Sequence, residues 1–304
     1  MQYANCAVLI PCYNEELTIA GVVSDFKKVL PGATIYVADN CSTDQTSKKA
    51  LEAGAVVIFE PKKGKGNAMC RLFADVDADF YIMVDGDSTY DASVSHLAIR
   101  HLVENRLDVV YVNRVDKNGK LDAHRHVHSL GNAVLSKVFT RLFRLELRDT
   151  LTGYRVMSRR FVKSFLDMPK GFEIEAALNV HAVAVSSALD QMDGLYVERP
   201  IDSFSKLNTF RDGFKILSTL LRLFRNSRPF VSFCILAFPW LIVSALFLYR
   251  SISPYLETGV VEYLPSLIAG VAAAAISFQL LTIGVILERN ASLRQELRRS
   301  RYLN

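Results

Sequence analysis

Two stretches of this chain carry no charged residue at all: Pro229 to Tyr249 and Tyr263 to Leu287. Each is long enough to cross the roughly 30 Å hydrocarbon core of a bilayer as a helix, which takes about 20 apolar residues. Two buried core helices in succession would need a large partner surface, so the pattern predicts a transmembrane hairpin. Hydrophobic residues make up 50% of the 304, and the excess over a soluble composition lies after residue 229.

The flanks orient the hairpin. Lys215, Arg222, Arg225 and Arg228 precede the first run, and Arg289, Arg294, Arg298, Arg299 and Arg301 follow the second. The connection from Ser251 to Glu262 carries only Glu257 and Glu262. The positive-inside rule then places both ends in the cytoplasm. The first apolar run, Ala7 to Ile10, is too short for a secretory signal. The expectation is an integral membrane protein of a cell membrane or ER-type membrane, with its catalytic domain and both termini cytoplasmic. Five cysteines without CxxC spacing suggest neither a disulfide framework nor a zinc site. The net charge of +5 is concentrated near the apolar runs, which favours anionic lipid headgroups over nucleic acid.

The first 115 residues alternate β-rich runs with helical stretches. Ala7 to Ile10, Thr34 to Ala38, Ala55 to Phe59, Phe80 to Val84 and Val109 to Val112 read as strands. Glu16 to Leu30, Thr43 to Ala53, Asn67 to Val76 and Ser93 to Asn105 read as helices between them. This order predicts an α/β layer on a mostly parallel sheet, with ligands at the carboxyl ends of the strands. Further on, Val127 to Leu147 and Ile174 to Ser187 read as helices, Asp149 to Arg155 as a loop, and Leu195 to Val197 as a short strand. From Leu207 to Arg228, Phe210, Phe214, Leu217, Leu221 and Phe224 recur at spacings of four and three beside a basic face. An amphipathic helix of that kind is expected to lie in a membrane interface.

The residues suited to chemistry fall at the strand ends. Val84-Asp85-Gly86-Asp87 closes an apolar run with two carboxylates at i and i+2, which a strand would point the same way. Hard oxygen ligands of this kind suit Mg²⁺ or Mn²⁺ shared with substrate phosphates, so Asp85 and Asp87 are the expected metal ligands. Gly86 allows close backbone approach. Asp39 ends another run, and there a carboxylate can accept bonds from ribose hydroxyls or a base N–H; Ser42 or Thr43 is expected to cap the helix after it. Pro11-Cys12-Tyr13-Asn14-Glu15 stops the first strand and opens a helix N-terminus. Lys62-Lys63-Gly64-Lys65-Gly66-Asn67 is a basic glycine loop able to lie against a diphosphate or nucleobase, without Walker A spacing. His124, His126 and His128 have no closing fourth ligand nearby, and read as a partly cationic loop rather than a zinc site.

Together these segments resemble the family-2 glycosyltransferases of GT-A fold, especially the polyprenyl-phosphate sugar synthases of the dolichyl-phosphate-mannose synthase type. Ile10 to Glu15 is similar to the family's PxYNE opening, Asp39 to Thr46 to its DNxSTDxT segment, and Asp85-Gly86-Asp87 to its DxD. Asp149 to Arg155 resembles the acceptor-side D-x-x-(S/T)-G-(Y/F)-R loop, and Ser205 to Gly213 the SKLNTFRDG signature. The resemblance covers residues 7 to 217 and implies a Rossmann-like nucleotide-sugar domain over 1–206; the periodicity and charge-free runs add an interfacial helix over 207–228, a transmembrane hairpin over 229–287 and a basic cytosolic tail over 288–304. It implies an inverting, cation-dependent hexosyltransferase using a UDP- or GDP-hexose. Pro11, Tyr13, Glu15, Asp39, Lys65, Gly66, Asp85 and Gly86 would hold the nucleotide sugar. Arg125, His128, Arg155, Glu175, Arg199, Ser205 and Lys206 would meet phosphate or acceptor, the planar fork of Arg155 suiting the lipid phosphate. Asp87, Asp149, Arg155 and Lys206 would carry catalysis. Gly171-Phe172-Glu173-Ile174-Glu175 is followed by Ala176 and Ala177, where the family often has a further acid.

The acceptor decides what catalysis needs. A sugar hydroxyl requires a general base, whereas a phosphate monoester, with a second pKa of about 6, is already largely dianionic. A polyprenyl (undecaprenyl or dolichyl) phosphate is the expected acceptor, with Asp149 structural, acceptor-orienting or a base. The alternatives are a hydroxyl acceptor on a glycolipid or glycan, and a non-catalytic scaffold that binds nucleotide sugars. A homo-oligomer is left open.

Overall fold

The computed structural model describes residues 5–116, 140, 145–171, 173–197, 222, 224, 225 and 228–303. The strands are β1 (Cys6–Cys12), β2 (Thr34–Asp39), β3 (Val56–Phe59), β4 (Phe80–Met83), β5 (Val109–Val115), β6 (Arg155–Ser158) and β7 (Leu189–Leu195). They form one seven-stranded sheet in the order β3-β2-β1-β4-β6-β5-β7. β1 to β4 are mutually parallel, and β7 runs parallel to β5. β6 is antiparallel to both of its neighbours.

The helices of this body are α1 (Ile19–Val29), α2 (Thr46–Glu52), α3 (Lys65–Asp75), α4 (Val94–Glu104), α5 (Arg159–Lys163) and α6 (Ile174–Val185). One face of the sheet, with Val8, Ile10, Ile82, Val84, Val110, Val112 and Val156, is covered by Ile19, Val23 and Phe26 of α1 and Ile99 and Leu102 of α4. The central strands are apolar on both faces because both are covered. α3 lies against β1, β2 and α6. α6 is buried nearly all round, with Asn179 and His181 fully enclosed, as suits a helix whose apolar residues follow no single stripe.

Three expectations need correcting. The strand read over Leu195 to Val197 lies earlier, as β7 beside β5, where the polar run Leu189–Leu195 carries no strand signal. Pro11 does not stop the first strand: β1 continues to Cys12, with Pro11 opposite Ala38 of β2. β4 has already ended at Met83, opposite Leu9, so the β4 side of β1 needs no N–H from residue 11. The segment read as a loop through Arg155 turns there into β6, a strand of four residues inserted between β4 and β5. Its first residue is an arginine and it is too short to show alternation, so the sequence carried no strand signal.

The chain divides into two compact units, Met1–Leu220 with Arg298–Asn304, and Leu221–Leu297. The second contains α7 (Pro229–Thr258) and most of α8 (Leu264–Leu303), both long and apolar enough to cross a membrane. They meet through small residues. A Cβ on Gly270 would lie 2.8 Å from the Leu248 side chain, and one on Gly284 would lie 2.9 Å from Phe233 Cβ. Ser244 donates to Gly270 O at 2.9 Å and Ser251 to Tyr263 O at 3.0 Å, a packing mode common between helices in lipid. Elsewhere the hairpin shows Ile235, Phe238, Leu241 and Leu246 on its surface.

The first unit takes back the end of α8. The Tyr302 hydroxyl donates to Asp108, and Arg298 Nη2 lies 2.6 Å from Asp167. Asp108 is fully buried just before β5 and also accepts from Ser158 Oγ at 3.0 Å, Arg160 Nε at 2.5 Å and the Ala188 N–H at 3.1 Å. The Arg160 guanidinium covers the Tyr302 ring at 4.9 Å.

Candidate active site

The carboxyl ends of β1, β2 and β4 lie side by side, so the turns that follow them form one surface. Side chains lock the first two turns together. Asn14, at φ 52°, accepts the Thr43 N–H on its Oδ1 at 2.8 Å, while its own N–H donates to Ser42 Oγ at 3.0 Å. The Glu15 N–H donates to Thr46 Oγ1 at 2.8 Å. The expected side-chain cap on α2 by Ser42 or Thr43 is not made. Asp44 instead accepts from the Thr46 N–H and hydroxyl at 3.0 and 2.5 Å, leaving Ser42 to bind the Asn14 turn. Asp39 is buried, with one carboxylate oxygen accepting the Ser42 N–H at 2.9 Å and the other the Ser47 hydroxyl.

Asn40, to which the sequence assigned no role, shapes the basic glycine loop. Its amide donates to the carbonyls of Glu60 and Lys62 at 3.1 and 2.7 Å, and its Oδ1 accepts the Gly64 N–H at 2.5 Å. Lys63 reaches the Tyr13 hydroxyl at 2.6 Å and lies 3.9 Å from the ring centre. Gly64 and Gly66 are needed for close approach: a Cβ on either would lie 1.9 Å from Lys170 O or 2.4 Å from Pro169 O.

Asp85 and Asp87 lie in a turn after β4, so strand alternation is not what sets their directions. Gly86 is fixed by a neighbour instead: a Cβ there would sit 2.7 Å from Cys12 Sγ, and its carbonyl accepts from Thr18 Oγ1 at 2.7 Å. Asp87 is buried and accepts from the Thr89 hydroxyl at 2.6 Å. Asp85 is partly exposed and faces Lys65, whose Nζ lies 2.5 Å from Asp85 Oδ1 and 2.6 Å from Glu175 Oε1. Burial works against the Lys65 charge, but Asp85 and Glu175 outweigh it and raise the pKa above the usual lysine range. No cluster of three or more His, Cys, Asp or Glu among the described residues could hold a metal alone. Two adjacent carboxylates, one partly exposed, fit a cation that takes its other ligands from a diphosphate and water.

The 149–153 loop forms the opposite wall. A Cβ on Gly153 would lie 2.5 Å from Asp85 Oδ2, and the Gly153 N–H donates to the Tyr90 hydroxyl at 3.0 Å. Asp149 is held in a fork by Arg114, at 2.7 Å from Nε and 2.9 Å from Nη2. Arg114 in turn lies 5.6 Å from the Tyr196 ring, which packs edge-on against Tyr90. Arg114, Tyr90 and Tyr196 belong to none of the motifs read from the sequence.

Arg155 stands differently from the expectation of a phosphate partner. It is fully buried, with Nε donating to Thr152 O at 3.2 Å, Nη2 donating to Thr150 O at 3.4 Å, and the guanidinium 4.9 Å from the Tyr111 ring centre. Asn179 donates to the same Thr150 carbonyl at 2.8 Å. Arg155 therefore braces the loop from behind, and only its Nη1 lacks a partner among the described residues. Glu175, expected on the acceptor side, lies in the first turn of α6 and shares Lys65 with Asp85. Arg125, His128, Arg199, Ser205 and Lys206 lie outside the described residues, as do 207–221, 223, 226 and 227 of the amphipathic segment and all of the helix expected over Val127 to Leu147 but residues 140 and 145–147, the last three of which are not helical.

Comparison with known proteins agrees with this architecture. Residues 7–166 match the family model described as Glycosyl transferase family 2. Glycosyltransferase AglJ of Haloferax volcanii is 32% identical over 303 residues, covering 95% of this chain and 94% of that one. A dolichyl-phosphate hexose transferase of the same organism is 24% identical over 226 residues, covering 74% of this chain and 96% of its own. Glucosyl-3-phosphoglycerate synthase of Mycobacterium tuberculosis, crystallised with Mn²⁺, UDP-glucose and phosphoglyceric acid, superposes with a TM-score of 0.57 at 22% identity. That match covers 73% of this chain and 80% of the other. With the family model spanning more than half of its length and a relative aligned nearly end to end, the chain belongs to glycosyltransferase family 2 and has the GT-A fold.

Proposed function

We propose that the chain moves a hexose from a nucleoside diphosphate onto a polyprenyl phosphate at the cytosolic face of a membrane. The observation that carries this reading is the Arg114–Asp149 fork. The acid best placed by motif to serve as a base has both oxygens held by one guanidinium, which leaves it poorly placed to meet the proton of an acceptor hydroxyl. An acceptor that arrives already ionised needs no such base. Two helices of membrane-spanning length and a relative named as a dolichyl-phosphate hexose transferase point to a lipid as the carrier of that phosphate. The flanking arginines support a cytoplasmic side for both ends.

In the proposed step an acceptor phosphate oxygen attacks the anomeric carbon. The bond from that carbon to the β-phosphate oxygen breaks, the nucleoside diphosphate leaves with the electron pair, and the configuration inverts. No proton is transferred. Asp85 and Asp87 would hold Mg²⁺ or Mn²⁺, which when bound supplies charge stabilisation to the leaving diphosphate. The turns of Pro11 to Glu15 and Asp39 to Asp44 would hold the nucleoside, and Lys65 with its glycine loop the donor phosphates. Arg199, Ser205 and Lys206, with Arg125 and His128, would balance the acceptor's charge, while Arg155 keeps the 149–153 loop in shape. Catalysis is then mainly positioning and charge balance.

The test is product chemistry with the full chain in detergent or nanodiscs, UDP- and GDP-hexoses, and undecaprenyl or dolichyl phosphate. A sugar released from lipid by mild acid, as expected for a phosphodiester, supports the reading. An acid-stable glycoside on a hydroxyl acceptor overturns it.

A further inference from the structure

We propose that Lys65 is a positioning residue that occupies Asp85 while the site holds no divalent cation and withdraws to Glu175 when one binds. The inference rests on the reading that Asp85 and Asp87 hold the cation. It concerns how that site is kept before loading.

A cation arriving at Asp85 would meet an ammonium already in place. Oδ1 is taken by the Lys65 ammonium at 2.5 Å. Oδ2 faces Gly153, whose lack of a side chain keeps that approach clear, since a Cβ there would lie 2.5 Å away. A divalent ion bound through Oδ1 would sit beside an ammonium, and like charges at such distances repel by several kcal/mol even at an effective dielectric of about 20. The ammonium must therefore leave Oδ1 as the ion arrives.

Its destination is already built. Glu175 Oε1 lies 2.6 Å from the same nitrogen, and the glutamate side chain is only 6% exposed. The backbone of Lys65 cannot follow the side chain. Gly64, at φ +134°, and Gly66 press the start of α3 against the carbonyls of Lys170 and Pro169, immediately before the helix that carries Glu175. The start of α3 thus packs closely on the segment before α6, and the ammonium, which bridges both carboxylates, can give up Asp85 without leaving Glu175. Glu175 acts as a resting partner that lets the positive charge step aside without losing its ion pair.

The two partners should act on cation affinity with opposite sign. Mn²⁺ binding to the full-length protein in detergent, without nucleotide, is read from the electron paramagnetic resonance signal of the free ion. Lys65→Met, which removes the competitor, is expected to tighten Mn²⁺ binding about tenfold or more. Glu175→Gln, which keeps the volume but removes the resting partner, is expected to weaken it by a similar factor. A merely structural role for Lys65 predicts weaker binding in both variants. Equal or weaker binding in folded Lys65→Met overturns the proposal, as does unchanged or tighter binding in Glu175→Gln if Lys65→Met does not fold. Asp87→Ala separates the two levels of inference. If it binds Mn²⁺ as the wild type does, the cation assignment itself has failed. If it loses Mn²⁺ while the other variants miss their signs, only the role of Lys65 has failed.

Discussion

Asp149 meets Arg114 through both carboxylate oxygens, at 2.7 and 2.9 Å, with the acid almost wholly enclosed and the arginine partly open to solvent. Removing either partner is therefore unequal. Arg114→Ala takes the ion pair from a buried carboxylate that still accepts the Leu151 N–H, and is expected to cost about 3 kcal/mol. Asp149→Asn leaves a cation that can still reach water, and should cost less and retain measurable turnover. Its pH profile should follow the acceptor's second ionisation. Denaturation curves and pH–rate profiles of the two variants check this. A turnover loss in Asp149→Asn as complete as for a missing base would contradict the assignment.

Asp87→Ala is expected to abolish transfer while the body stays folded. Asp87 accepts from the Thr89 hydroxyl within its own turn, beyond the end of β4. The leaving diphosphate would lose several kcal/mol of stabilisation. EDTA should have the same effect on the wild type, and Mn²⁺ should restore it. Undiminished rates in either case would remove the metal from the reading.

Arg155→Lys should behave as a folding defect before it behaves as a binding defect. A lysine cannot donate to both the Thr150 and Thr152 carbonyls while lying flat on Tyr111. A loss of about 2–4 kcal/mol in stability is expected alongside lost activity. A variant of normal stability with a selectively raised KM for lipid phosphate would show instead that Nη1 meets the acceptor.

His181 predicts acid sensitivity in α6. Burial lowers its pKa from 6.5 to about 4, partly offset by its bond to the Phe161 carbonyl, with Arg298 adding to the depression. The folded state therefore binds fewer protons than the unfolded state between those values, and stability falls as pH drops from about 6.5 to 4. The shift corresponds to about 3 kcal/mol. His181→Gln, which can still donate to Phe161 O, should flatten that part of the profile. Hydrogen exchange of the 174–185 amides at pH 7 and pH 4.5 measures it.

What could be read from the sequence was local. Asp-Gly-Asp, Pro-Cys-Tyr-Asn-Glu and the Asp39 to Asp44 run each sit in one turn, and the strand before each is long or apolar enough to mark the turn as a sheet end. The missed relationships join distant positions. Lys65 and Glu175 are 110 residues apart, and Arg114 and Asp149 are 35 apart. Only the insertion of β6 between β4 and β5 brings the 149–153 loop onto Asp85. No periodicity announces a four-residue antiparallel strand that starts with a buried arginine. Arg155 suits phosphate by type, and its position in β6 turns it inward onto the Thr150 and Thr152 carbonyls.

The bond between Tyr302 and Asp108 gives this protein an order of manufacture. A ribosome releases Asp108 early and Tyr302 only after both apolar helices have been made. Domains otherwise begin folding as soon as they emerge. Here the buried Asp108 has its bonds from Ser158, Arg160 and Ala188 early and stays one donor short until the hairpin has been synthesised. A nascent chain stalled before residue 298 would hold an incomplete catalytic body, so completion of the enzyme is timed to follow synthesis of its hairpin.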